Sequence, residues 1–258
     1  MKNLFDLTGK KAVVVGGGGG IGQAIAGGLA FAGADVVIAS RSMETLEKAA
    51  EAIKADTGKD VCCLTVDVLS AESIQNLADE CVKLLGTVDI LVNSQGLNKK
   101  IPSLEITADD WDAMFDINVR GTLLSCQAFG KIMVEKGYGK IINVSSIRGI
   151  RALNSPGNTC YSSTKGSVDM LTKSLAAEWA KSNVHVNAIG PVVTETPMMI
   201  SIFEQNPALK ASVLANIPMG RIGLASDNIG PAIFLASEAS DFLTGHVIYP
   251  DGGCAAII

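Results

Sequence analysis

Charged, aromatic and histidine side chains are all scarce in this chain. Only 18% of its 258 residues are charged, 5% are aromatic, and the two histidines, His185 and His246, lie inside β-like runs. So little histidine gives no support to a His-rich metal site or to a nucleophile activated by a neighbouring His, and we assign no metal ligands. The net charge is −5 and no long basic run occurs, so we expect no nucleic acid partner.

Long apolar runs are also missing. No stretch of about 18 apolar residues is free of charge, so no membrane span is expected. Residues 1–10 lack the apolar core of a secretory signal. The six cysteines form neither a CxxC pair nor a zinc spacing, and they suit small buried thiols in a reducing compartment. Together these absences predict a cytoplasmic protein.

The chain does contain a regular alternation of short β-branched runs and amphipathic stretches. Strands are predicted at residues 11–15, 34–40, 61–66, 88–93, 140–146, 184–189 and 246–249. Helices are predicted at residues 23–30, 43–56, 71–85, 107–136 with an interruption near Asn118 and Gly121, 161–181, and 226–237. No linker or repeat breaks this order, which predicts a single α/β domain over residues 1–258. The expected architecture is a Rossmann fold, with a doubly wound, seven-stranded parallel sheet and helices on both faces. Residues 194–224 contain three prolines and are predicted to form short helices or a lid over the substrate.

A glycine-rich turn separates the first strand from the first helix. Residues 16–20 are all glycine, and Ile21 and Gly22 follow. Glycine lets a backbone approach a pyrophosphate closely, and a helix N-terminus offers free N–H groups and a positive dipole end. The turn is therefore a candidate dinucleotide site, with a merely flexible loop as the alternative. Two registers fit equally, GxGxxG on Gly17, Gly19 and Gly22, and GxxxGxG on Gly16, Gly20 and Gly22.

The second predicted strand ends in Ser40 and Arg41. In a doubly wound sheet this end lies beside the adenosine ribose. A carboxylate there would accept a hydrogen bond from the 2′-hydroxyl of NAD(H), whereas a guanidinium suits the 2′-phosphate of NADP(H). We therefore expect NADP(H) to be preferred, with NAD(H) still possible. The alternative is that Arg41 merely faces water.

Tyr161 and Lys165 stand four residues apart in a helical pattern. This spacing puts a phenol and an ammonium one turn apart on the same helix face. A nearby ammonium favours the phenolate and would lower the pKa of the tyrosine from about 10 towards neutrality. Such a tyrosine can exchange a proton with an alcohol or a carbonyl oxygen. The alternative is an ordinary solvated contact between two residues of a helix.

Polar residues and glycines also fall at the carboxyl ends of the other predicted strands, where ligands of such sheets bind. With the sites above, the motifs are Gly16-x3-Gly20-Ile21-Gly22, Asp67-Val68, Asn93-Ser94-Gln95-Gly96, Asn118, Ser145-Ser146, Tyr161-x3-Lys165, Asn187-Ala188 with Pro191, and Asp251-Gly252-Gly253. In this combination the chain resembles the short-chain dehydrogenase/reductase family, over residues from about 4 to 253. The resemblance implies an oxidoreductase that transfers hydride between a nicotinamide coenzyme and a secondary alcohol or ketone.

The resemblance also implies roles for individual residues. Ser146 is preferred to Ser145 as the catalytic serine because a similar x-x-Gly sequence follows it. The implied catalytic group is Asn118, Ser146, Tyr161 and Lys165, with Asn118 positioning a water that links Lys165 to solvent. The implied cofactor contacts are Gly16, Gly18, Gly19, Gly20, Ile21, Gly22, Ser40, Arg41, Asp67, Val68, Asn93, Gly96, Tyr161, Lys165, Pro191, Thr194 and Thr196. For the two threonines, ordinary turn hydroxyls are the alternative.

Family members are commonly homotetramers. They are built by pairing the long helices, here near residues 108–136 and 157–181, and by the C-terminal strand. The apolar tail at residues 254–258 would suit burial at such an interface. The resemblance therefore predicts a homotetramer.

Three residues depart from the family pattern. Val15 replaces a threonine before the first glycine, Gln95 replaces a small alanine, and Val192 replaces a glycine after the sixth strand. The spacing from Ser146 to Tyr161 is also slightly long, which indicates a small insertion at about residues 154–159. None of these differences removes a catalytic group.

The substrate is indicated by weaker signals. Residues 4–10 and 96–102 look like the branch of gluconate 5-dehydrogenases, which predicts a sugar acid or polyol as substrate. Four cations, Lys99, Lys100, Arg148 and Arg151, could bind a carboxylate, although solvated loop cations are an equal alternative. Sugar hydroxyls could meet Asn98, Asn154, Ser155 and Asn158.

Two other functions stay open. A 3-oxoacyl-acyl-carrier-protein reductase shares the same motifs and would need a basic docking surface, for which Lys136, Lys140 and Lys181 are candidates. A non-catalytic NADP(H)-binding regulator would most plausibly have lost Tyr161 or Lys165, and both are present.

Overall fold

Seven parallel strands form one sheet in the described part of the chain, which comprises residues 2–152, 157–195 and 197–257 of a computed structural model. In chain order they are β1 (Lys11–Val15), β2 (Asp35–Ser40), β3 (Cys62–Thr65), β4 (Ile90–Asn93), β5 (Gly139–Val144), β6 (Val184–Ile189) and β7 (Val247–Ile248). Across the sheet their order is β3-β2-β1-β4-β5-β6-β7. The chain thus runs outward from β1 to β3 and then returns to β4 on the other side of β1, as in a doubly wound sheet.

Helices lie between the strands. They are α1 (Gly20–Phe31), α2 (Met43–Thr57), α3 (Ala71–Leu85), α4 (Ala108–Phe115), α5 (Gly121–Lys136), α6 (Thr159–Trp179), α7 (Pro197–Gln205), α8 (Pro207–Leu214) and α9 (Ile229–Ala236). A π-helical segment, Asp116–Arg120, joins α4 to α5, and 3₁₀ turns occupy Ile147–Gly149 and Ala225–Asn228. Over the ranges given above, none of the helices combines the length and the apolar character needed to cross a membrane.

The sheet is covered on both faces because successive side chains of a strand point in opposite directions. In β1, Ala12 and Val14 pack with residues of α1, α2 and α9, whereas Val13 and Val15 pack with residues of α3, α5 and α6. Burial on both sides explains why the inner strands are apolar throughout instead of alternating with polar residues.

The carboxyl ends of β1 and β4 adjoin at the place where the strand order reverses. Val15 pairs with Ala39 of β2 on one side and with Asn93 of β4 on the other. The connections that follow β1 and β4 therefore diverge and leave a crevice, which is where such sheets bind their ligands. The glycine-rich turn, Asn93 and Gly96 all lie at this edge.

The predicted α/β fold is confirmed, and the strand ends differ from the predicted ones by no more than two residues. The interruption predicted near Asn118 is the π-helical segment, a device that is frequent at functional sites. The helix predicted at 226–237 begins instead as the 3₁₀ turn Ala225–Asn228, where the Asn228 side chain donates to the carbonyl of Leu224.

Candidate active site

The glycine-rich turn is shaped by close packing at one set of positions and by open space at another. A Cβ atom on Gly22 would lie 2.2 Å from the carbonyl oxygen of Gly16, and one on Gly17 would lie 2.8 Å from the Ile38 side chain. Gly16 has a φ of +86°, which favours glycine. At Gly19 and Gly20, by contrast, a Cβ would meet nothing within 4 Å. The turn thus packs tightly on the sheet and presents an open backbone to the crevice.

The N-terminus of α1 completes this turn. The capping position, Gly19, has no side chain to bond the first N–H groups, and the first turn of the helix contains no acidic residue. Free N–H groups and the positive end of the helix dipole therefore point to the open side, an arrangement that suits a pyrophosphate. The residues present thus fit a dinucleotide.

The residues predicted to lie near the adenosine follow β2 and β3. The Ser40 hydroxyl lies 3.1 Å from where a Cβ on Gly18 would be, so Ser40 borders the turn, and Arg41 beside it is exposed. Asp67 accepts a hydrogen bond from the Leu69 N–H at 3.0 Å, and Val68 is buried against Gly121. These four side chains therefore line the same edge as the glycines.

Asn93 makes a buried contact between two strands, whereas Gly96 lies beside the catalytic candidates. The Asn93 side chain is buried and donates to Asn143 Oδ1 at 3.0 Å, so it ties β4 to β5. Gly96 lies beside the catalytic candidates, because a Cβ there would be 3.6 Å from Asn118 Oδ1 and 3.9 Å from Lys165 Nζ. The absence of a side chain at Gly96 keeps this space open.

Asn118 is buried within the π-helical segment, and its amide is fully engaged. Its Oδ1 accepts from the Leu97 N–H at 2.7 Å, and its Nδ2 donates to the Leu97 carbonyl and to Thr164 Oγ1, both at 2.9 Å. Thr164 precedes Lys165, so Asn118 fixes the loop after β4 against the helix that carries the lysine. Sequence reasoning missed Thr164, although its place between Tyr161 and Lys165 was visible.

Ser146, not Ser145, faces the phenol of Tyr161. Its hydroxyl is close enough to Tyr161 to lower the pKa of the phenol, accepts from the Arg148 N–H at 3.1 Å and donates to the Pro191 carbonyl at 3.5 Å. The Ser145 hydroxyl instead donates to the carbonyl of Lys165 at 3.3 Å. The difference follows from the end of β5, where neighbouring side chains point to opposite faces.

Lys165 is buried, only 4% exposed, and donates to the Val144 carbonyl at 2.8 Å. Burial lowers its pKa to about 8, and the charge of Asp169 acts in the opposite direction. The pKa of Tyr161, however, is raised by burial, against the hydrogen bond from Ser146 and the charge of Arg148. The expectation that Lys165 brings the pKa of Tyr161 towards neutrality is therefore wrong for this structure, in which burial decides the direction.

Comparison with known proteins agrees with this geometry. The family model described as enoyl-(acyl carrier protein) reductase matches residues 16–255. The chain is 38% identical to the 2-dehydro-3-deoxy-D-gluconate 5-dehydrogenase of Escherichia coli K12, over 98% of each chain. It is 36% identical to the 3-oxoacyl-[acyl-carrier-protein] reductase of Aquifex aeolicus, over 96% of this chain and 98% of that protein. The structure of a gluconate 5-dehydrogenase from Burkholderia cenocepacia in complex with NADP and tartrate superposes with a TM-score of 0.91, at 34% identity over 99% of this chain and 98% of that one.

The chain belongs to the short-chain dehydrogenase/reductase family. It is accordingly an oxidoreductase acting on CH–OH and C=O groups, and the dinucleotide fit of the glycine turn agrees with that class.

In this short-chain dehydrogenase/reductase, the four cations predicted to bind substrate have different surroundings. Lys99 forms an ion pair with Asp110 at 2.8 Å, and Arg151 donates to the Cys254 carbonyl near the C-terminus. Lys100 is exposed. Arg148 is half-buried, contributes one hydrogen bond to the Arg151 carbonyl at 3.2 Å, and is close enough to Tyr161 to lower the pKa of the phenol.

The remaining predicted contacts have local hydrogen bonds, are exposed, or lie outside the described residues. Asn98 is exposed, and Asn158 precedes α6, where its carbonyl accepts from the Ser162 N–H at 2.8 Å. The Pro191 carbonyl accepts from the Ile147 N–H at 3.0 Å, and Thr194 Oγ1 donates to the Val192 carbonyl at 3.0 Å. Three predicted contacts lie outside the described residues, namely Asn154, Ser155 and Thr196.

Asp169 is a further residue of this region that sequence reasoning missed. It lies one helical turn beyond Lys165 on the same face of α6 and is only 5% exposed. The signal that could have found it was the continuation of the Tyr161–Lys165 spacing by four more residues.

Proposed function

We propose that the protein is an NADP(H)-dependent oxidoreductase that interconverts a secondary alcohol and a ketone of a sugar acid or polyol. The observation that carries the proposal is the grouping of Ser146, Tyr161 and Lys165. Lys165 Nζ lies beside Gly96 and 5.7 Å from the centre of the Tyr161 ring, and the half-buried guanidinium of Arg148 is close to the phenol. A proton donor, an oxyanion donor and a cation thus meet at the edge of the sheet that binds dinucleotides.

The coenzyme would be held by the open glycine turn, the N-terminus of α1, and Ser40 with Arg41. The exposed guanidinium after β2, where no carboxylate stands, supports NADP(H) over NAD(H). The NADP in the Burkholderia relative supports the same choice. Pro191, Thr194 and Thr196 remain candidates for contacts to the nicotinamide end. When bound, the coenzyme supplies or accepts the hydride.

The protein's own groups handle the proton and the developing charge. Tyr161 Oη gives a proton to the carbonyl oxygen during reduction and takes it from the hydroxyl during oxidation. The Ser146 hydroxyl donates to the same oxygen as negative charge forms on it. Lys165 would hold ribose hydroxyls, and Asn118 fixes the loop at Leu97 against helix α6, which carries Tyr161 and Lys165.

Arg148 is the cation we assign to a substrate carboxylate. It is half-buried and close to the phenol, and burial lowers its pKa; the groups that act in the opposite direction are the Cys254 thiol and the Tyr161 phenol, with no carboxylate of the described residues among them. Of the other predicted cations, Lys99 is paired with Asp110 and Arg151 bonds the Cys254 carbonyl, as given above. Lys100, Asn98 and Asn158 would meet sugar hydroxyls at the mouth of the cleft.

A 3-oxoacyl-acyl-carrier-protein reductase is the second candidate, supported by the likeness to the Aquifex enzyme. The geometry favours it less. Two of the three lysines predicted for a carrier-docking surface are engaged, since Lys136 pairs with Asp89 at 2.6 Å and Lys140 pairs with Asp241 at 2.8 Å. A non-catalytic regulator would leave the convergence of Tyr161, Ser146 and Lys165 without a role.

The lid and the assembly belong to the same proposal. Helices α7 and α8 would cover the substrate as parts of a lid over residues 194–224 within one domain. A homotetramer would bury apolar side chains that are now exposed, such as Met170 on α6, which is 59% exposed. We propose a cytoplasmic location on the sequence grounds given above.

The deciding experiment mixes the protein and NADPH with 5-keto-gluconate, with a neutral keto-polyol, or with an acetoacetyl thioester, and follows the nicotinamide absorbance. Oxidation of NADPH by the first two but not by the thioester supports the proposal. Turnover of the thioester alone would favour the second candidate, and turnover of none of them would contradict an enzymatic role.

The role of Tyr161 is tested by Tyr161→Phe, which should lower kcat by about 10²–10⁴-fold and leave NADPH affinity nearly unchanged. Tyr138→Phe, at the opposite edge of the sheet, is the matched control and should keep normal kcat. Near-normal turnover by Tyr161→Phe would remove the central role assigned here.

The coenzyme preference is tested by Arg41→Ala. The ratio of kcat/KM for NADPH to that for NADH should fall by about tenfold or more, because a charge-assisted contact to the 2′-phosphate is lost. Lys131→Ala, which removes an exposed cation from α5, should leave the ratio unchanged. A similar fall in both variants would indicate a general charge effect.

A further inference from the structure

Asp169 is a buried acid whose surroundings all belong to the active site. A Cβ on Gly149, in the turn that follows Ser146, would lie 2.3 Å from Asp169 Oδ2. The same Cβ would lie 3.2 Å from the Lys165 carbonyl, to which Ser145 donates. The carboxyl group is thus packed between α6 and the end of β5, directly behind the catalytic serine and lysine.

A tyrosine that follows the edge strand β7 also contacts the Asp169 carboxyl group. Tyr249, just after β7, has its hydroxyl 3.5 Å from Asp169 Oδ2. Its ring lies against Gly190 at the end of β6, where a Cβ would be 2.4 Å from the ring. The carboxyl group is therefore held by groups from three elements and has little freedom to turn to solvent.

The groups that face Asp169 favour its charged form, although burial opposes it. Burial raises the pKa of Asp169 above its ordinary value, while the charges of Lys173 and Lys165 and the hydrogen bond from Tyr249 act in the opposite direction. The turn at Gly149 contributes no titratable group to this contact, since Arg148 in the same turn is directed to Tyr161 and Arg151. Among the described residues, Asp169 Oδ1 has no hydrogen-bond partner, so part of the carboxylate's compensation must be electrostatic.

The Lys165 ammonium and the Asp169 carboxylate are placed to stabilise each other's charge. The two residues are four apart on α6, so they are neighbours on its surface, and the ammonium itself donates to a neutral carbonyl. No carboxylate of the described residues forms a salt bridge with Lys165 within the usual 4.0 Å. The charge of Asp169 raises the pKa of Lys165 against burial.

We propose that Asp169 is a positioning residue for the reaction, whose buried carboxylate keeps the Lys165 ammonium charged at neutral pH. The inference rests on the proposed function, because it gives Lys165 its place beside the coenzyme ribose and the phenol. It extends the linear series Tyr161, Lys165 and Asp169 along one face of α6. A proton donor, a cation and the anion that stabilises the charge of the cation then lie one helical turn apart from one another.

The test measures NADPH affinity by nicotinamide fluorescence between pH 6 and 10, together with the pH profile of kcat/KM for ketone reduction. In the wild-type protein both should decline as pH rises through the pKa of Lys165. In Asp169→Asn the decline should occur about one pH unit lower, because an opposite charge close to the ammonium is lost. Asp169→Glu should restore the wild-type profile.

Glu178→Gln, an exposed acid on the same helix, is the matched control for the change in net charge. It should leave both profiles unmoved, and an equal shift in this control would overturn the proposal. Asp169→Leu removes the charge together with the buried polar group and is the second variant if Asp169→Asn does not fold. An unshifted profile in either folded variant overturns the proposal, and so does loss of folding in both, which would assign Asp169 to stability.

Failure of the proposed function gives a different result. A wild-type protein that binds no NADPH, or binds it without turning over any ketone, contradicts the oxidoreductase itself. A wild-type protein that binds NADPH while the Asp169 variants keep its pH profile contradicts only the role of Asp169.

Discussion

Two lysines are buried at opposite ends of β5, and their surroundings differ in one respect. Lys140, near the start of the strand, is fully buried, and Lys165 bonds the carbonyl of Val144 at its end. Burial lowers the pKa of both amines. Lys140, however, has a carboxylate partner, Asp241, at 2.8 Å, whereas the hydrogen bond of Lys165 goes to a neutral oxygen.

The difference separates a structural charge from a reactive one. A buried cation that touches its counter-ion stays charged and fixed, and it serves the fold. A buried cation without a touching counter-ion loses its proton more readily than a paired one, and groups with perturbed pKa values cluster at functional sites. The amino edge of the sheet therefore carries paired charges, and the carboxyl edge carries an incompletely paired one at the place where we propose chemistry.

The difference in role between Lys140 and Lys165 is tested most directly by replacing each lysine with methionine. Lys165→Met should lower kcat/KM by about 10³-fold or more, since the cation beside the phenol is lost, without lowering the free energy of unfolding. Lys140→Met should keep normal kcat/KM, because the carboxylate that loses its partner, Asp241, is 55% exposed and can be solvated. Steady-state kinetics and urea unfolding check both. Equal losses of turnover would show that the two lysines do not differ in role.

The glycine turn offers a second contrast between packing and ligand binding. Gly22→Ala should destabilise the protein by about 2–3 kcal/mol, because its Cβ would lie 2.2 Å from the Gly16 carbonyl. Gly19→Ala should leave stability within about 0.5 kcal/mol, since its Cβ meets nothing within 4 Å and its φ of 174° is extended. The methyl group of Gly19→Ala would enter the open side and weaken NADPH binding, which a fluorescence titration measures. Undiminished affinity would argue against a pyrophosphate at this position.

A third variant, Asp241→Asn, keeps the buried Lys140 ammonium and removes its counter-ion. Asp241→Asn should lower the free energy of unfolding by about 2 kcal/mol, because Lys140 would stay buried without its counter-ion. Turnover of the folded variant should be normal. Urea unfolding at neutral pH is the measurement, and Asp79→Asn on the exposed face of α3 is the control for the loss of one negative charge.

The smallest expected effect concerns the pH dependence of stability. The pKa of Lys165 is about 8 in the folded protein, below its ordinary value of 10.5, so the unfolded chain binds more protons between these two pH values. The free energy of unfolding contributed by Lys165 should therefore rise as pH increases from about 8 to 10.5. Any advantage of Lys165→Met over the wild type at pH 7 should therefore shrink across this range. A constant difference between their urea midpoints would show that burial does not perturb Lys165.

Local patterns predicted much of the molecule because they report directly on what is buried. β1 and β6 begin and end at the predicted residues, since their β-branched runs are buried on both faces. The short β7 was predicted two residues too long, because only Val247 and Ile248 pair with β6. The interruption near Asn118 was visible in the periodicity, but its π-helical form depends on the bonds to Leu97 and Thr164.

Features that depend on contacts across the chain could not be predicted in this way. The engagement of Lys99 by Asp110, and of Arg151 by Cys254, joins residues that the sequence keeps apart. The direction of the pKa shift of Tyr161 was also predicted wrongly. A spacing of four residues reveals the nearby cation, but it does not reveal how deeply the phenol is buried.

The backbone is joined at the two ends of the segment that contains α7 and α8. The Gly223 N–H donates to the Val193 carbonyl at 3.1 Å, and the Glu195 N–H donates to the Gly223 carbonyl at 2.7 Å. The two ends of the segment thus meet at this bridge, and the Met219 N–H within the segment also donates to the Gly252 carbonyl at 3.0 Å. Insertions, deletions or wholesale exchange between Glu195 and Gly223 need not disturb the pairing of β6 with β7. Over evolution, such an attachment lets a lineage acquire a new specificity while it inherits the reactive centre unchanged.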